Sequence, residues 1–294
     1  MSQTVTSGSR RREPRSVTFE GHCGVRLRGD AWGEAGAPGV VLLHGGGQTR
    51  HSWAGAGRRL AREGWWAVSL DQRGHGESDW APRGRYHLDD FVADLRCVVR
   101  ELPQPPVVVG ASLGGMVALL AEGESDAPVA SAVVLVDITP RIEPAGVMRI
   151  IDFMTARPDG FASLDEAADA IAAYRRHRAR PSNLAGLAKN LRRGADGRYR
   201  WHWDPRFLGE SREAGGYFTP GRLVAAARRL AVPTLLVRGV ESDVVSREGV
   251  AEFLEAAPGA RFADVGRAGH MVAGDRNDVF TEVVVGFLRE AFSG

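Results

Sequence analysis

Lysine is almost missing from this 294-residue chain: Lys189 is the one lysine among 38 basic residues, and arginine supplies the others. The arginines are spread along the whole length and face 36 acidic residues, for a formal net charge of +2. So small an imbalance, without a concentrated basic patch, argues against nucleic acid or a membrane surface as the partner. Cysteine is equally scarce. Cys23 and Cys97 are too few for a disulfide framework and form no metal-ligand cluster. No apolar run approaches the roughly 18 residues of a membrane span. The run Arg10, Arg11, Arg12 lacks the apolar stretch that would make it an export signal. The expectation is a cytoplasmic protein with a flexible leader over residues 1–15, no cofactor, no metal and a small-molecule substrate; its oligomeric state is left open. Hydrophobic residues at 44% and charged residues at 25% match ordinary globular chains, so the remainder is expected to fold.

From Val17 onward, short β-branched runs alternate with longer amphipathic patterns. Val40 to Leu43, Trp66 to Leu70, Val107 to Val109, Val133 to Val136 and Thr234 to Val237 are apolar on both faces, as strands of a buried parallel sheet are. Ser52 to Arg62, Leu88 to Leu102 and Leu113 to Glu122 repeat apolar residues every three or four positions, which predicts helices. The rhythm implies a doubly wound α/β sheet, with Val17 to Glu20 and Val25 to Gly29 as an antiparallel edge hairpin. It breaks after Val136 for almost a hundred residues. Helical patterns near Gly146 to Thr155, Leu164 to Ala179 and Leu184 to Leu191, then an aromatic, Gly-rich loop, predict an insertion over one end of the sheet.

Chemistry concentrates at strand ends. Val107-Val-Val-Gly110-Ala-Ser112-Leu-Gly114-Gly115 runs from a buried strand through G-x-S-x-G into a helix. Small residues on either side let the chain turn sharply enough to present the Ser112 hydroxyl, and the Leu113 N–H at the helix start can face a developing oxyanion. His44-Gly-Gly-Gly47 follows another strand, with Gly46 as the first candidate for a second oxyanion donor and Gly47 as the next. No G-K-[ST] follows, which argues against a nucleotide P-loop. A serine needs a base, and among eight histidines His270 stands after a late strand and before the final helix. His44 and His75 are expected to shape loops, while His22, His51, His87, His177 and His202 fit surface positions.

Taken together, His44-Gly-Gly, Asp71-Gln-Arg-Gly-His-Gly-Glu-Ser78, Gly110-Ala-Ser-Leu-Gly114, Val232-Pro-Thr-Leu-Leu-Val-Arg-Gly239 and Gly269-His270 resemble the α/β-hydrolase superfamily. The resemblance implies a mostly parallel eight-stranded sheet with helices on both faces, a core over residues 16–137 and 231–294, and a helical lid over residues 138–230. It also implies a Ser-acid-His triad at the carboxyl ends of the strands. The acid is expected at Asp243, in Gly239-Val-Glu-Ser-Asp243, although the spacing there is one residue longer than the common pattern and Glu241 stands nearby. Asp137, after the sixth strand, fits the position used by some relatives, and its alternative role is a cap on the lid entrance.

A serine at the elbow, where epoxide- and halide-processing relatives carry aspartate, suits acyl chemistry on an ester, lactone, thioester or C–C bond beside a carbonyl. The expected catalytic set is Ser112, His270 and Asp243, with Gly46 and Leu113 forming the oxyanion hole. A cofactor-free perhydrolase, lyase or synthase, and a non-catalytic small-molecule receptor, are the competing readings. Two more segments remain: Tyr199-Arg-Trp-His-Trp-Asp204, where Trp201 and Trp203 share a face if extended and either roof a pocket or pack the lid, and the Arg175 to Arg180 run, read as a solvated helix face.

Overall fold

The computed structural model describes residues 13–174, 180–181, 183–209, 219–266, 268–270 and 277–292. Most of the predicted leader, residues 1–12, and most of the arginine run, residues 175–179, lie outside that set. Eight strands form one sheet: β1 (Arg15–Glu20), β2 (Arg26–Trp32), β3 (Gly39–Leu43), β4 (Trp66–Leu70), β5 (Val107–Ala111), β6 (Ala132–Val136), β9 (Thr234–Gly239) and β10 (Arg261–Val265). Their spatial order is β1-β2-β4-β3-β5-β6-β9-β10. β1 and β2 pair antiparallel and so do β2 and β4; every later neighbour pairs parallel. The edge hairpin and the parallel core are therefore as the alternation of the sequence implied.

Each central strand feeds two layers, because successive side chains leave opposite faces. On one face Val41, Leu43, Val108, Val133, Leu135 and Leu236 join a cluster with α2 (Leu88–Arg100), α3 (Leu113–Gly123), α7 (Pro220–Arg228) and α8 (Arg247–Ala256). On the other, Val40, Leu42, Val107, Val109, Val134 and Val237 meet α1 (Ala54–Arg62) and α9 (Asn277–Phe292). This two-sided burial is why these strands read as unbroken Val/Leu runs. Among the described residues no helix is long and apolar enough to cross a membrane.

Between β6 and β9 the chain leaves the sheet. It forms α4 (Pro144–Thr155), α5 (Leu164–Tyr174), α6 (Leu184–Ala188) and a two-stranded antiparallel hairpin of β7 (Leu191–Arg193) and β8 (Tyr199–Trp201). A 3-10 turn over Pro205–Leu208 follows. Phe161, Ala167, Ala168, Leu187 and Leu191 make a small core of its own, while Met154, Trp203, Phe207 and Leu208 pack into the main one. The hairpin was not foreseen: three-residue strands are too short to show a periodicity. Helix α7, placed by the sequence reading in the inserted segment, buries Leu223, Ala226 and Ala227 in the main core. Gly123 of α3 lies so close to Ala226 that a Cβ there would strike its backbone, so α7 is a helix of the core layer.

Candidate active site

The turn from β5 into α3 is strained at one residue. Ser112 has φ 48° and ψ −114°, a conformation that L-residues rarely hold. The glycines around it explain how the turn is made. A Cβ on Gly110 would meet the Gly114 carbonyl, and one on Gly114 would come within 2.5 Å of the Leu43 carbonyl, so strand, helix and neighbouring strand approach at a distance only glycine permits. The Ser112 N–H donates to Val136 O at 3.0 Å, which ties the elbow to the end of β6. The Leu113 N–H belongs to the first turn of α3, where no helix carbonyl can reach it.

Immediately after β6 comes Asp137, fully buried and at φ 51°. Its N–H donates to Val237 O at 2.7 Å, and the left-handed turn brings its carboxylate over the end of β9. There Oδ1 accepts from the Gly239 N–H at 3.0 Å, and Oδ2 accepts from Ser242 Oγ at 2.5 Å and from His270 Nδ1 at 2.7 Å. The His270 side chain is 13% exposed against 0% for Asp137, so the pair is largely withdrawn from water. The loop carrying His270 is held from below: Glu241 N–H donates to Ala268 O at 2.9 Å, and Gly239 has no room for a Cβ against Ala268 and Gly269.

The expectation that Asp243 partners His270 is corrected by this geometry. Asp243 is 41% exposed and pairs with Arg149 of α4 at 2.5 Å. Its loop is pinned to that helix: Glu143 N–H donates to Val244 O at 2.8 Å, and Gly146 abuts the Asp243 carbonyl. The extra residue after Gly239 carries Asp243 past the histidine and puts Ser242 in contact with the carboxylate of Asp137 instead. Glu241 is exposed. Asp137, the alternative weighed from the sequence, is the residue brought to His270; Ser242 is a contact the sequence reading missed, since a lone serine in a loop carries no signal.

The glycine loop after β3 lies against the elbow. A Cβ on Gly45 would stand 3.4 Å from Ser112 Cβ. Gly47, the second oxyanion candidate, already donates its N–H to His75 Nε2 at 3.1 Å. Apolar side chains close on the loop: Phe207 would be 3.5 Å from a Cβ at Gly46, and Met154 and Trp203 would be 2.7 and 3.3 Å from one at Gly47. Trp201 and Trp203 stack at 5.1 Å with 12° between planes, so they do share a face.

Behind this loop lie three histidines. His44 and His75 are fully buried, as loop-shaping residues are, and burial lowers them to about 4 and about 3. His202, expected at the surface, is 2% exposed, and burial holds it well below the ordinary imidazole range. The charged loop after β4 braces its neighbours. Asp71 receives the Arg50 N–H and guanidinium and the Glu77 N–H, while Arg73 takes Asp94 in a two-pronged pair at 2.6 Å on each oxygen.

Residues 40–283 match the family model described as the alpha/beta hydrolase family. An esterase of Mycobacterium tuberculosis is 33% identical over 87% of this chain and 84% of its own length. A 3-hydroxybutyrate-oligomer hydrolase of Cupriavidus necator is 28% identical over 83% and 87%. Among solved structures, the M. tuberculosis esterase superposes with a TM-score of 0.73 at 30% identity, covering 94% of this chain and 91% of that one. An E-2-(acetamidomethylene)succinate hydrolase superposes with a TM-score of 0.82 at 23% identity, covering 94% and 99%, a likeness of fold.

Proposed function

This chain belongs to the alpha/beta hydrolase family and is a hydrolase, and we propose that it cleaves small, fairly apolar carbonyl substrates, esters first, through a serine nucleophile and an acyl-enzyme. The observation that carries the reading is the buried Asp137–His270 pair at 2.7 Å, with a serine at φ 48° whose N–H is bound to Val136, the residue before Asp137. A carboxylate accepting from Nδ1–H keeps Nε2 as the basic nitrogen and stabilises the imidazolium that forms.

In this mechanism Ser112 Oγ attacks the substrate carbonyl while His270 Nε2 takes its proton. The carbonyl oxygen becomes an oxyanion, held by the N–H groups of Leu113 and Gly46; Gly47 is unsuited because His75 occupies its N–H. Collapse expels the alcohol, which receives the proton from His270. Water then gives a proton to His270 and attacks the acyl-enzyme, and release of the acid returns Ser112 to its hydroxyl form. Met154, Trp203 and Phe207 around the glycine loop favour an apolar acyl or alcohol group.

Turnover of p-nitrophenyl butyrate by the wild type and by Ser112→Ala tests the reading, together with labelling by a fluorophosphonate. Wild-type hydrolysis that disappears in Ser112→Ala, with label on Ser112, is expected. Equal rates in the two proteins, or label on another residue, overturns it.

A further inference from the structure

We propose that His75 and His202 are positioning residues: they fix the peptide groups on either side of Gly47 and so hold the Gly46 N–H in the orientation an oxyanion hole needs, a role that rests on the serine-hydrolase reading above.

Three successive peptide groups make up this loop, and each is held by a different imidazole. The group joining Gly45 to Gly46 carries the proposed oxyanion donor; its carbonyl accepts from His44 Nδ1 at 2.8 Å and from Gln48 N–H at 3.1 Å. In a trans peptide the N–H points opposite to the C=O, so anchoring that carbonyl behind the loop turns the Gly46 N–H to the other side. The group joining Gly46 to Gly47 gives its N–H to His75 Nε2 at 3.1 Å. The group joining Gly47 to Gln48 offers its carbonyl to His202 Nε2 at 3.3 Å. Gly47 lies between the last two at φ 74°, and with no side chain it has no steric preference of its own for that turn.

The far nitrogens of the rings set the tautomers. His75 Nδ1 donates to Arg73 O at 2.9 Å, which leaves Nε2 as the acceptor for Gly47. His202 Nδ1 accepts the Gly76 N–H at 2.7 Å, which leaves Nε2–H as the donor to Gly47. Each ring therefore uses one donor and one acceptor, the pattern of a neutral imidazole. The rings also abut: His44 and His75 are 5.0 Å apart between centroids, and His75 and His202 are 5.8 Å apart.

The arrangement joins three distant parts of the chain. His44 follows β3, His75 belongs to the loop after β4, and His202 comes from the segment inserted after β6. The insertion is fastened to the same loops by Asp204 N–H to Gly74 O at 2.8 Å and by Thr49 Oγ1 to Asn190 Oδ1 at 2.9 Å. Through His202 the inserted segment holds the loop that carries the oxyanion donor.

Asparagine and glutamine separate the two ends of each ring. At position 202, glutamine reaches the Nε2 site and can donate to Gly47 O, whereas asparagine replaces only Nδ1 and keeps the Gly76 contact. At position 75, glutamine can accept the Gly47 N–H, whereas asparagine keeps only the contact to Arg73 O. On p-nitrophenyl butyrate, His202→Asn and His75→Asn are expected to lose about 10- to 100-fold in kcat with KM within about twofold, a fraction of what removing an oxyanion donor costs. His202→Gln and His75→Gln are expected to stay within about fivefold of wild type. Thermal unfolding identifies the variants that fold, and the sites are tested separately so that loss of folding at one leaves the comparison at the other. Equal kcat in the Asn and Gln variants, or a change confined to KM, overturns the positioning role; failure of all four to fold overturns it in favour of a purely structural one. A wild type without Ser112-dependent turnover instead overturns the serine-hydrolase reading, and this proposal with it.

Discussion

Replacing Asp137 by asparagine changes one atom of a buried carboxylate, and the three hydrogen bonds it accepts allow the consequence to be worked out. Oδ1 faces a backbone donor, Gly239 N–H at 3.0 Å; Oδ2 faces His270 Nδ1 at 2.7 Å and Ser242 Oγ at 2.5 Å. If the amide oxygen stays on Gly239, the NH2 group meets His270 Nδ1 and drives the proton to Nε2, where the ring can no longer take the proton of Ser112. If the amide turns round, its NH2 opposes the Gly239 N–H and leaves a buried donor unsatisfied, at about 1–3 kcal/mol. The first arrangement disables the base, and the second keeps Nε2 basic but strands the Gly239 N–H and removes the charge that stabilises the imidazolium; loss of the carboxylate in a Ser-His-Asp triad lowers kcat by about 10⁴-fold, about 5 kcal/mol of activation free energy. Asp243→Asn is the matched control. It removes a surface ion pair whose partners are 41% and 59% exposed, worth about 0–1 kcal/mol of stability, and leaves kcat unchanged. Steady-state kinetics on p-nitrophenyl butyrate, with circular dichroism to verify folding, measures both. A loss of similar order in Asp243→Asn, or more than a tenth of wild-type kcat retained in Asp137→Asn, refutes the assignment.

Ser242→Ala removes the hydroxyl donor to Asp137 and also the acceptor of the Val244 and Val245 N–H groups, at 3.2 and 3.1 Å; a loss of about 1–3 kcal/mol in urea unfolding is expected, together with a lower kcat. At position 112 both Ala and Gly abolish Ser112 chemistry, but only glycine is at ease at φ 48°, so Ser112→Gly is expected to unfold at a higher temperature than Ser112→Ala by the equivalent of about 1 kcal/mol; the reverse order contradicts the strain. Acid sensitivity follows from the buried imidazoles. His44 and His75, lowered to about 4 and about 3, stay neutral in the folded protein where the unfolded chain binds protons. They cost nothing above the unfolded value of about 6.5; below it each removes up to about 1.4 kcal/mol of stability per pH unit, until the folded ring also titrates. Urea midpoints between pH 7 and pH 4.5 measure this, and a wild-type slope unaltered in His75→Gln counts against it.

Much of the fold was legible because it is local. The Val/Leu runs of β3, β5, β6 and β9 record burial on two faces, and the helical spacing of α2 and α3 records burial on one. The elbow was legible for the same reason: Gly110, Ser112 and Gly114 lie within five residues, and the close approach that demands glycine is made by that segment against its adjoining strand. The hairpin of β7 and β8 is too short for a period. His202 stood between two tryptophans as a polar residue in an aromatic stretch, a pattern that distinguishes a surface loop from a buried clamp only once its partners at Gly47 and Gly76 are known.

By itself, then, the sequence determined the alternation that builds the sheet, the residue at the elbow and the histidine after the last strand, since each depends on neighbours along the chain. The choice between Asp137 and Asp243 was a matter of tertiary structure. β6 and β9 are parallel neighbours, so both residues follow strands that end on the same side of the sheet, and spacing along the chain does not rank them. What decides is the turn at φ 51° that brings Asp137 over Gly239, and the grip of α4 on the loop after β9, which leaves Asp243 facing Arg149 and water. The glycine loop follows the same rule. Its flexibility is written in three consecutive glycines, while its single conformation comes from imidazoles that lie up to 155 residues away along the chain, because a glycine backbone has almost no torsional preference and takes its shape from whatever hydrogen-bonds to it.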